Sequence, residues 1–304
     1  MTTAGKHRTT SEVVAEEYRG EARELAQERL DEDRAREVLL RVNNLSVTLF
    51  TEDGHLPAIT DLSFVMRKGE TLAVVGESGC GKSMCALSIM GLLPQPPAKV
   101  TDGSIELGGV DMVKLTAEEM RQYRGSKIGM IFQSFNLISR SSVINNVLTS
   151  NVPDMPWWKV LLGIYSKEQK MKALENLDKV QILEKAYSRC DELSGGQMQR
   201  VALGRTLSQN PSIILADEPV ASLDPIMADV VMSDFSRINK EMNISILLNI
   251  HHVDLALKYA TRVIGIRAGR IVYDGPSAQV TQEVLDEVYN GKAVPTSKDP
   301  ETKP

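Results

Sequence analysis

The feature that most constrains this chain is an eight-residue glycine-rich segment, GESGCGKS, at residues 76–83. An apolar run at 72–75 precedes it, and apolar residues at helical spacing follow from Met84. A strand, a glycine-rich turn and a helix in this order are typical of a phosphate-binding loop. Glycine lets successive N–H groups point inward, and the helix N-terminus adds partial positive charge. The Lys82 ammonium can bind the outer phosphates as a point charge, and the Ser83 hydroxyl can bind Mg²⁺.

The segment therefore predicts binding of a nucleoside triphosphate. The alternative interpretation is a tight strand-to-helix turn that contains chance glycines. The predicted triphosphate contacts are Gly76, Glu77, Ser78, Gly79, Cys80, Gly81, Lys82 and Ser83.

Composition limits the class of protein and its partners. A chain of 304 residues allows one or two domains, and its net charge of −5 gives no reason to expect nucleic-acid binding. The three cysteines, Cys80, Cys85 and Cys190, lack metal-ligand spacing and fit a reducing cytoplasm. No segment approaches the roughly 18–20 apolar residues of a membrane span, and the N-terminus lacks the apolar region of a signal peptide. Any membrane association is expected to be peripheral.

The apolar pattern predicts a parallel α/β core that is interrupted by a helical insertion. Residues 11–37, rich in Glu, Arg and Ala, indicate a solvated helix or a partly disordered lead-in. The predicted divisions are a charged extension at 1–37, a triphosphate-binding domain at 38–280 and a tail at 281–304, with the insertion at about 134–200. Three prolines, at 94, 96 and 97, are expected to end the helix after the glycine-rich loop. The predicted strands are 45–49, 61–66, 71–75, 104–107, 128–133, 213–216, 244–250, 263–266 and 270–273, and 61–66 and 71–75 are expected to continue the same sheet as 45–49.

Polar residues follow two of the predicted parallel strands. Asp217 and Glu218 come directly after 213–216, where ligands bind in open α/β sheets. One carboxylate can hold Mg²⁺ through water, and the other can polarise a water for attack on the γ-phosphate. The alternative is a helix-capping pair. His251 ends the strand 244–250 and can contact the same phosphate; a structural histidine is the alternative, and His252 leaves the choice between the two open.

A second glycine-containing segment, LSGGQ at 193–197, precedes a predicted helix. Ser194 and Gln197 have the spacing of a capping box, which explains the segment as a helix start. Gly195 and Gly196 beside that helix start can also form a second anion site with open backbone donors. A chain that already has one phosphate-binding loop has a use for a second anion site only if two copies of the chain face each other across a dimer.

Together these segments resemble the ATP-binding cassette ATPases. The matching elements, in chain order, are GESGCGKS, Gln133, LSGGQMQR, IILADEP, SLD at 222–224 and His251. The resemblance covers about residues 40–280. It implies a P-loop NTPase (RecA-like) core, an antiparallel β edge subdomain and an inserted helical subdomain. It also implies a head-to-tail homodimer that traps two ATP molecules, each between the loop 76–83 of one subunit and Ser194, Gly195, Gly196 and Gln197 of the other.

The resemblance assigns roles to further residues. Lys82 would hold the β- and γ-phosphates, while Ser83, Gln133 and Asp217 would serve Mg²⁺. Glu218 would be the general base.

Three more residues have implied roles at the edges of the nucleotide site. His251 would sense the γ-phosphate, with His252 at a position where relatives carry glutamine. Asp224 would lie in the loop that crosses to the partner subunit. Phe50 would stack on adenine, a role that requires only an aromatic face.

The two halves of the chain resemble different importers. Up to Gln133, GETLAVVGESGCGKS and LLPQPPA are similar to oligopeptide and nickel importer ATPases. After it, SFNLISRSSVINNVL, EQK at 168–170 and IHHVDLALKYATRVIGIRAGRIVYDG are similar to the phosphonate importer ATPase. The second stretch is longer and includes the insertion, which contacts the permease in this family. The resemblance to the phosphonate importer ATPase is therefore the stronger of the two. No cysteine follows Cys190, which counts against the oligopeptide relatives.

The expected function is therefore ATP hydrolysis coupled to uptake of phosphonate or a related phosphorus oxyanion. The expected partners are two integral-membrane permease subunits and, indirectly, a periplasmic or extracellular substrate-binding protein, and no nucleic acid. The expected location is peripheral, on the cytoplasmic face of the cell (inner) membrane. The alternatives are a peptide or nickel importer ATPase, or a cassette ATPase acting on DNA or the ribosome. Trp157 and Trp158, with the apolar stretch 160–165, have two interpretations: packing within the insertion, or an exposed contact surface.

Overall fold

Two β-sheets of different kinds form the framework of the chain. The computed structural model describes residues 36–52 and 54–290. The antiparallel sheet has the order β2-β1-β4-β5, and its strands are β1 (Val38–Thr51), β2 (Gly54–Arg67), β4 (Ala98–Leu107) and β5 (Val110–Asp111). The second sheet has the order β10-β9-β3-β8-β7-β6, and its strands are β3 (Thr71–Val75), β6 (Ile128–Ile131), β7 (Ile213–Asp217), β8 (Ser245–Asn249), β9 (Arg262–Arg267) and β10 (Arg270–Pro276).

The second sheet is parallel except for the hairpin of β9 and β10. Helices connect and cover its strands. They are α1 (Lys82–Met90), α2 (Ala117–Ser126), α3 (Val143–Leu148), α4 (Trp157–Leu161), α5 (Lys167–Lys179), α6 (Gly195–Leu207), α7 (Pro225–Met242), α8 (Val253–Tyr259) and α9 (Gln282–Asn290). Among the described helices, none has the length and apolar character needed to cross a bilayer.

The parallel sheet is buried on both faces, as its continuous apolar strands predict. On β3, Leu72 and Val74 pack into a core shared with the antiparallel sheet, α1 and α2. Ala73 and Val75 face the opposite way, into a core shared with α6, α7 and α8. The sheet is therefore the central layer, and the ends of its strands carry the residues that follow β3, β7 and β8.

The predicted α/β architecture is confirmed, and three details of it are corrected. The predicted strands 61–66 and 71–75 belong to different sheets. The helix after the glycine-rich loop ends before its prolines, because Gly91 adopts φ 59° and donates to Leu87 and Ser88 carbonyls as its C-cap. The strand predicted to reach Gln133 ends at Ile131, because the chain turns out of the sheet into positive φ at Phe135 and Asn136.

The division of the chain into segments stays a prediction at its boundaries. Helices α3 to α6 lie between β6 and β7, and α6 continues through the predicted limit near residue 200. The predicted tail includes α9, whose buried Val288 packs against Gly265 of β9. The predicted N-terminal extension, apart from residues 36 and 37, and the tail after 290 lie outside the described residues.

Candidate nucleotide site

The glycine-rich loop runs from the buried end of β3 into α1. Gly76, Gly79 and Gly81 have φ values of 151°, 80° and 109°, which glycine adopts readily and other residues rarely do. A Cβ atom on Gly81 would also lie 2.8 Å from the Ala58 carbonyl oxygen of β2. Backbone conformation and lack of space therefore both require glycine at position 81.

Lys82 occupies the centre of this loop. Its side chain is buried, with 4% exposure, and its Nζ donates to the carbonyl oxygens of Gly76 and Glu77 at 2.8 Å each. The Gly269 N–H in the β9–β10 turn donates to the Cys80 oxygen at 3.1 Å, which fixes the loop from outside. The ammonium group is thus held in the concavity where an anionic phosphate would be a stronger hydrogen-bond partner than a neutral carbonyl.

Asp217, at the end of β7, joins three elements of the site. Its Oδ1 accepts a hydrogen bond from the Ser83 hydroxyl at 2.9 Å and another from Asn249 Nδ2 at 2.8 Å. The parallel register of β7 and β8 pairs Asp217 with Asn249, so the contact follows directly from the sheet. Asn249 is a site residue that the sequence reasoning missed; the signal was a polar residue at the end of an otherwise apolar strand.

The oxygen atoms of Ser83 and Asp217 fit a magnesium ion by chemical type, because Mg²⁺ prefers hard oxygen ligands. Asn249 adds a buried Oδ1 that has no hydrogen-bond partner among the described residues. Within residues 36–52 and 54–290, no group of three or more His, Cys, Asp or Glu side chains could hold a metal by itself. A magnesium ion here would therefore take few protein ligands and rely on phosphate oxygens and water, as Mg²⁺ commonly does.

Glu218 and His251 form a second contact at the same edge of the sheet. His251 Nε2 lies 2.7 Å from Glu218 Oε1. Glu218 has a positive φ of 52°, and its N–H donates to the Asn249 carbonyl oxygen at 2.9 Å. Such a backbone conformation is uncommon outside glycine and is found at functional sites. His252 is exposed and precedes α8, so the structure brings His251, and not its neighbour, to the carboxylate.

The LSGGQ segment forms a separate cluster at the start of α6. The predicted capping box is confirmed: Gln197 N–H donates to Ser194 Oγ at 3.3 Å, and Ser194 N–H donates to Gln197 Oε1 at 3.0 Å. Gly195 and Gly196 pack closely on Leu223 and Met227, residues on either side of Asp224.

Asp224 caps the next helix beside this cluster. Its carboxylate accepts from the N–H groups of Ile226 and Met227 at the start of α7. In the described parts of the chain, no hydrogen bond or ion pair joins Ser194–Gln197 to the loop 76–83. Most of the residues predicted to bind ATP are therefore gathered in two clusters.

Two predicted residues lie apart from both clusters. Gln133 is exposed two residues beyond β6, and within the described chain its side chain has no hydrogen bond to Ser83 or Asp217. Phe50, near the end of β1, is 40% exposed, and its ring meets His55 edge-on at 4.6 Å between centroids. Phe50 therefore keeps exposed aromatic surface, which stacking on adenine would require.

The loop after Gln133 is held by a second residue that the sequence reasoning missed. Arg205 of α6 donates to the carbonyl oxygens of Asn136 at 2.6 Å and Phe135 at 3.0 Å, the two residues with positive φ. Burial lowers the pKa of the Arg205 guanidinium. An arginine on the helix after LSGGQ therefore fixes the conformation of the loop after Gln133.

Comparison with known families decides the classification of the chain. The family profile described as ABC transporter matches residues 59–221, more than half of the chain. The chain belongs to the ABC transporter family. Binding of ATP, predicted from the glycine-rich loop, is confirmed by this membership.

Relatives with similar sequences carry a more specific name. The phosphonates import ATP-binding protein PhnC of Lactococcus lactis subsp. lactis (strain IL1403) is 52% identical over 235 residues, covering 77% of this chain and 93% of the relative. The protein of the same name from Staphylococcus haemolyticus (strain JCSC1435) is 47% identical over 240 residues, covering 79% and 91%. The predicted resemblance to phosphonate importers is confirmed. A 235-residue match must include part of the front half, since only 171 residues follow Gln133.

Solved structures show the same fold. The ATP-binding cassette MJ0796, described as dimeric and bound to ADP and Pi, has a TM-score of 0.68 and 28% identity, and the match covers 79% of this chain and 99% of that chain. The cbiO1 protein of Clostridium perfringens, described as part of the ABC transporter complex cbiONQ, has a TM-score of 0.70 and 25% identity, with coverage of 82% and 93%. The predicted P-loop NTPase fold is therefore confirmed.

Proposed function

We propose that this chain is the ATP-hydrolysing subunit of a bacterial importer for phosphonate or a related phosphorus oxyanion. The observation that carries the proposal is the strand-edge site: Ser83 and Asn249 both hydrogen-bond Asp217, and Glu218 lies against His251. The relatives named as phosphonates import proteins support the substrate class. A peptide or nickel importer is the second candidate, favoured by the front-half motifs up to Gln133.

In this proposal the glycine-rich loop binds the triphosphate and orients its γ-phosphoryl group. The N–H groups of the loop and the start of α1 would contact the phosphates, and Lys82 would exchange its carbonyl partners for β- and γ-phosphate oxygens. Ser83, Asp217 and Gln133 would hold Mg²⁺, directly or through water. A bound Mg²⁺ would neutralise charge that develops on the phosphate oxygens.

Glu218 would act as the general base for hydrolysis. A water molecule attacks the γ-phosphorus, its proton passes to the Glu218 carboxylate, and the bond to the β-phosphate oxygen breaks to release ADP and phosphate. His251, 2.7 Å from that carboxylate, would hold the carboxylate in position and contact the γ-phosphate. The positive φ of Glu218 and its N–H bond to Asn249 support a fixed orientation of this side chain.

The complete site would require two copies of the chain in head-to-tail order. Ser194, Gly195, Gly196 and Gln197 of one copy would contact the ATP held by the other, and Asp224 would lie at the crossing point. The dimeric description of MJ0796 with ADP and Pi supports this arrangement for a cassette of the same fold. The two copies would work with two membrane permease subunits and, indirectly, an external substrate-binding protein, on the cytoplasmic face of the membrane.

A growth assay tests the substrate. Cells lacking the gene receive either the unchanged chain or the Glu218→Gln variant, and a phosphonate is the sole phosphorus source. We expect growth only with the unchanged chain, and equal growth of both strains on phosphate. If the unchanged chain instead restores uptake of nickel or a peptide and not of phosphonate, the second candidate is correct. Purification of the chain with soluble partners only, and no permease, would contradict an importer of any kind.

A further inference from the structure

An exposed apolar segment lies in the helical region between β6 and β7. We call residues 157–164 the Trp ridge; it comprises α4 and the turn that follows it. Trp157 and Leu161 are each 77% exposed. The large apolar side chains of the ridge that are exposed are Trp157, Trp158, Leu161, Leu162 and Ile164. Contiguous exposed apolar surface of this kind marks an interaction site in a soluble protein.

The structure decides between the two interpretations of this segment. All five side chains are exposed, and none is a member of either buried core of the described chain. Tyr165, directly after the ridge, does pack against a core, so the ridge is attached to the domain while its own side chains point outward. Internal packing therefore does not account for the tryptophan pair.

The charge around the ridge differs from that of the whole chain. Residues 157–172 contain four lysines and a single acidic residue, Glu168, although the chain carries a net charge of −5. Lys159 Nζ lies 5.4 Å from the centre of the Trp158 ring, within the range of a cation–π contact. The other lysines, all exposed, are Lys167, Lys170 and Lys172.

We propose that the Trp ridge binds the surface of a bilayer that contains anionic lipid. Tryptophan is enriched at the level of lipid headgroups, and leucine and isoleucine beside it can enter the acyl boundary. Long lysine side chains extend their ammonium groups toward phosphate headgroups while their methylenes stay on apolar surface. The combination of outward aromatic and aliphatic residues with a basic border fits this occupant. The proposal depends on the proposed importer function only for the presence of a nearby membrane.

Intrinsic fluorescence gives a direct test with the full chain. Trp157 and Trp158 are the only tryptophans in the sequence, so tryptophan emission reports on the ridge alone. Vesicles of phosphatidylglycerol mixed with phosphatidylcholine should shift the emission to shorter wavelength and sediment with the protein. Vesicles of phosphatidylcholine alone should bind at least tenfold more weakly, and added salt should weaken binding to the anionic vesicles.

Variants assign the binding to the ridge. The double variant Trp157→Ser, Leu161→Ser should lose at least tenfold in vesicle binding and keep the ATPase activity of the unchanged chain, which shows that it is folded. Tyr187→Ser is the matched control, because Tyr187 is also 77% exposed but lies outside the ridge. Replacing Lys167, Lys170 and Lys172 by glutamine should remove the preference for anionic lipid.

Three results would overturn the proposal. The first is that the unchanged chain does not bind anionic vesicles. The second is that the double ridge variant binds these vesicles as well as the unchanged chain does. The third is that the double ridge variant no longer co-purifies with the permease in lipid-free detergent. The third result would assign the ridge to a protein partner. Absence of ATP hydrolysis by the unchanged chain, by contrast, would contradict the proposed function and leave the vesicle result to be judged separately.

Discussion

Glu218 is the residue on which the proposed chemistry depends most. Glutamine keeps its size and can adopt the same positive φ, but it cannot accept a proton from water. We expect Glu218→Gln to bind ATP with unchanged affinity and to lower turnover by about a hundredfold or more. Turnover is measured by phosphate release and affinity by titration with a fluorescent ATP analogue. Phosphate release at the rate of the unchanged chain would refute the general-base role.

Asn249 is predicted to set the metal dependence of the same site. Its Nδ2 donates to the Asp217 oxygen that also accepts from Ser83. Asn249→Ala removes that donor and leaves the carboxylate less fixed, so the Mg²⁺ concentration needed for half-maximal ATPase activity should rise several-fold. Asn239→Ala, which removes a strand-supporting amide outside the site, serves as control. An unchanged Mg²⁺ dependence in Asn249→Ala would contradict the positioning role of Asn249.

Cys80 in the glycine-rich loop should react slowly with alkylating reagents. Burial raises the pKa of its thiol, and nearby Lys82 opposes that rise only in part. The thiolate is the reacting form, so at pH 7 little of it is present, and the alkylation rate should increase as pH rises toward the elevated pKa. Mass spectrometry of the labelled loop measures the rate at several pH values. Fast labelling at pH 7 that does not increase with pH would contradict this account.

Modification of Cys80 is also expected to block nucleotide binding, because added bulk would fill the loop beside Lys82. ATP added first should protect the thiol. Cys190 is the internal control, because it is also buried but lies on another element. ATP should leave the labelling of Cys190 unchanged. Full ATPase activity after complete labelling of Cys80 would exclude the steric effect.

At the scale of elements, a buried ion-pair group joins α6 to α7. Asp234 of α7 is 4% exposed and accepts from Arg200 of α6 at 2.7 Å and from Arg237 at 3.2 Å. Asp234→Ala leaves the partly exposed Arg200 and Arg237 without their shared carboxylate, and losing hydrogen bonds to a charged group typically costs about 1.5–3 kcal/mol of the free energy of unfolding. Thermal unfolding should show a clear fall in Tm. Glu118→Ala, which breaks an exposed pair with Arg121 on α2, should leave Tm unchanged.

The sequence predicts elements and motifs well where the determining contacts are local. The loop 76–83, the strand 213–216 and the capping box at Ser194 each depend on residues close in the chain, and each was found from spacing alone. The contact of Asn249 with Asp217 was missed because it depends on β8 lying beside β7 in register, which only the folded sheet determines. The same holds for Arg205, whose partners Phe135 and Asn136 are about seventy residues away in the chain.

Errors at element ends have a similar origin. Three prolines were expected to end α1, yet Gly91 ends it earlier through its left-handed conformation beside Met120 of α2. The end of β6 likewise depends on the turn that Arg205 holds from another helix. The Gly91 cap is nevertheless local, because its N–H contacts only Leu87 and Ser88, so the glycine was a readable signal that the prediction from proline overlooked.

At the scale of the whole molecule, most of the residues predicted to bind ATP form two clusters on different elements. One consists of the loop after β3 and the ends of β7 and β8, with Lys82 and Asp217; the other lies at the starts of α6 and α7, with Ser194 and Asp224. In a head-to-tail dimer, each ATP site would combine the first cluster of one copy with the second cluster of the other. A variant of either cluster would then damage both sites of a homodimer.

Mixing two defective variants tests this arrangement. Lys82→Ala removes the phosphate-binding ammonium, and Ser194→Asp keeps a helix-capping side chain while placing negative charge against the partner's triphosphate. Each variant alone should be nearly inactive. A mixed dimer would contain one intact site, because one copy supplies a normal loop and the other a normal LSGGQ segment. Random mixing makes about half the dimers mixed, so recovery should approach about a quarter of the activity of the unchanged chain.

The matched control mixes Lys82→Ala with Ser83→Ala. Both changes lie in the same cluster, so neither copy provides a normal glycine-rich loop and no site in any dimer is complete. We therefore expect no recovery from this mixture at any ratio. If each copy used its own two clusters to form a site, the first mixture would also remain inactive, because every copy would keep its own defect. Recovery in the first mixture and its absence in the second thus distinguish a shared site from a site within one chain.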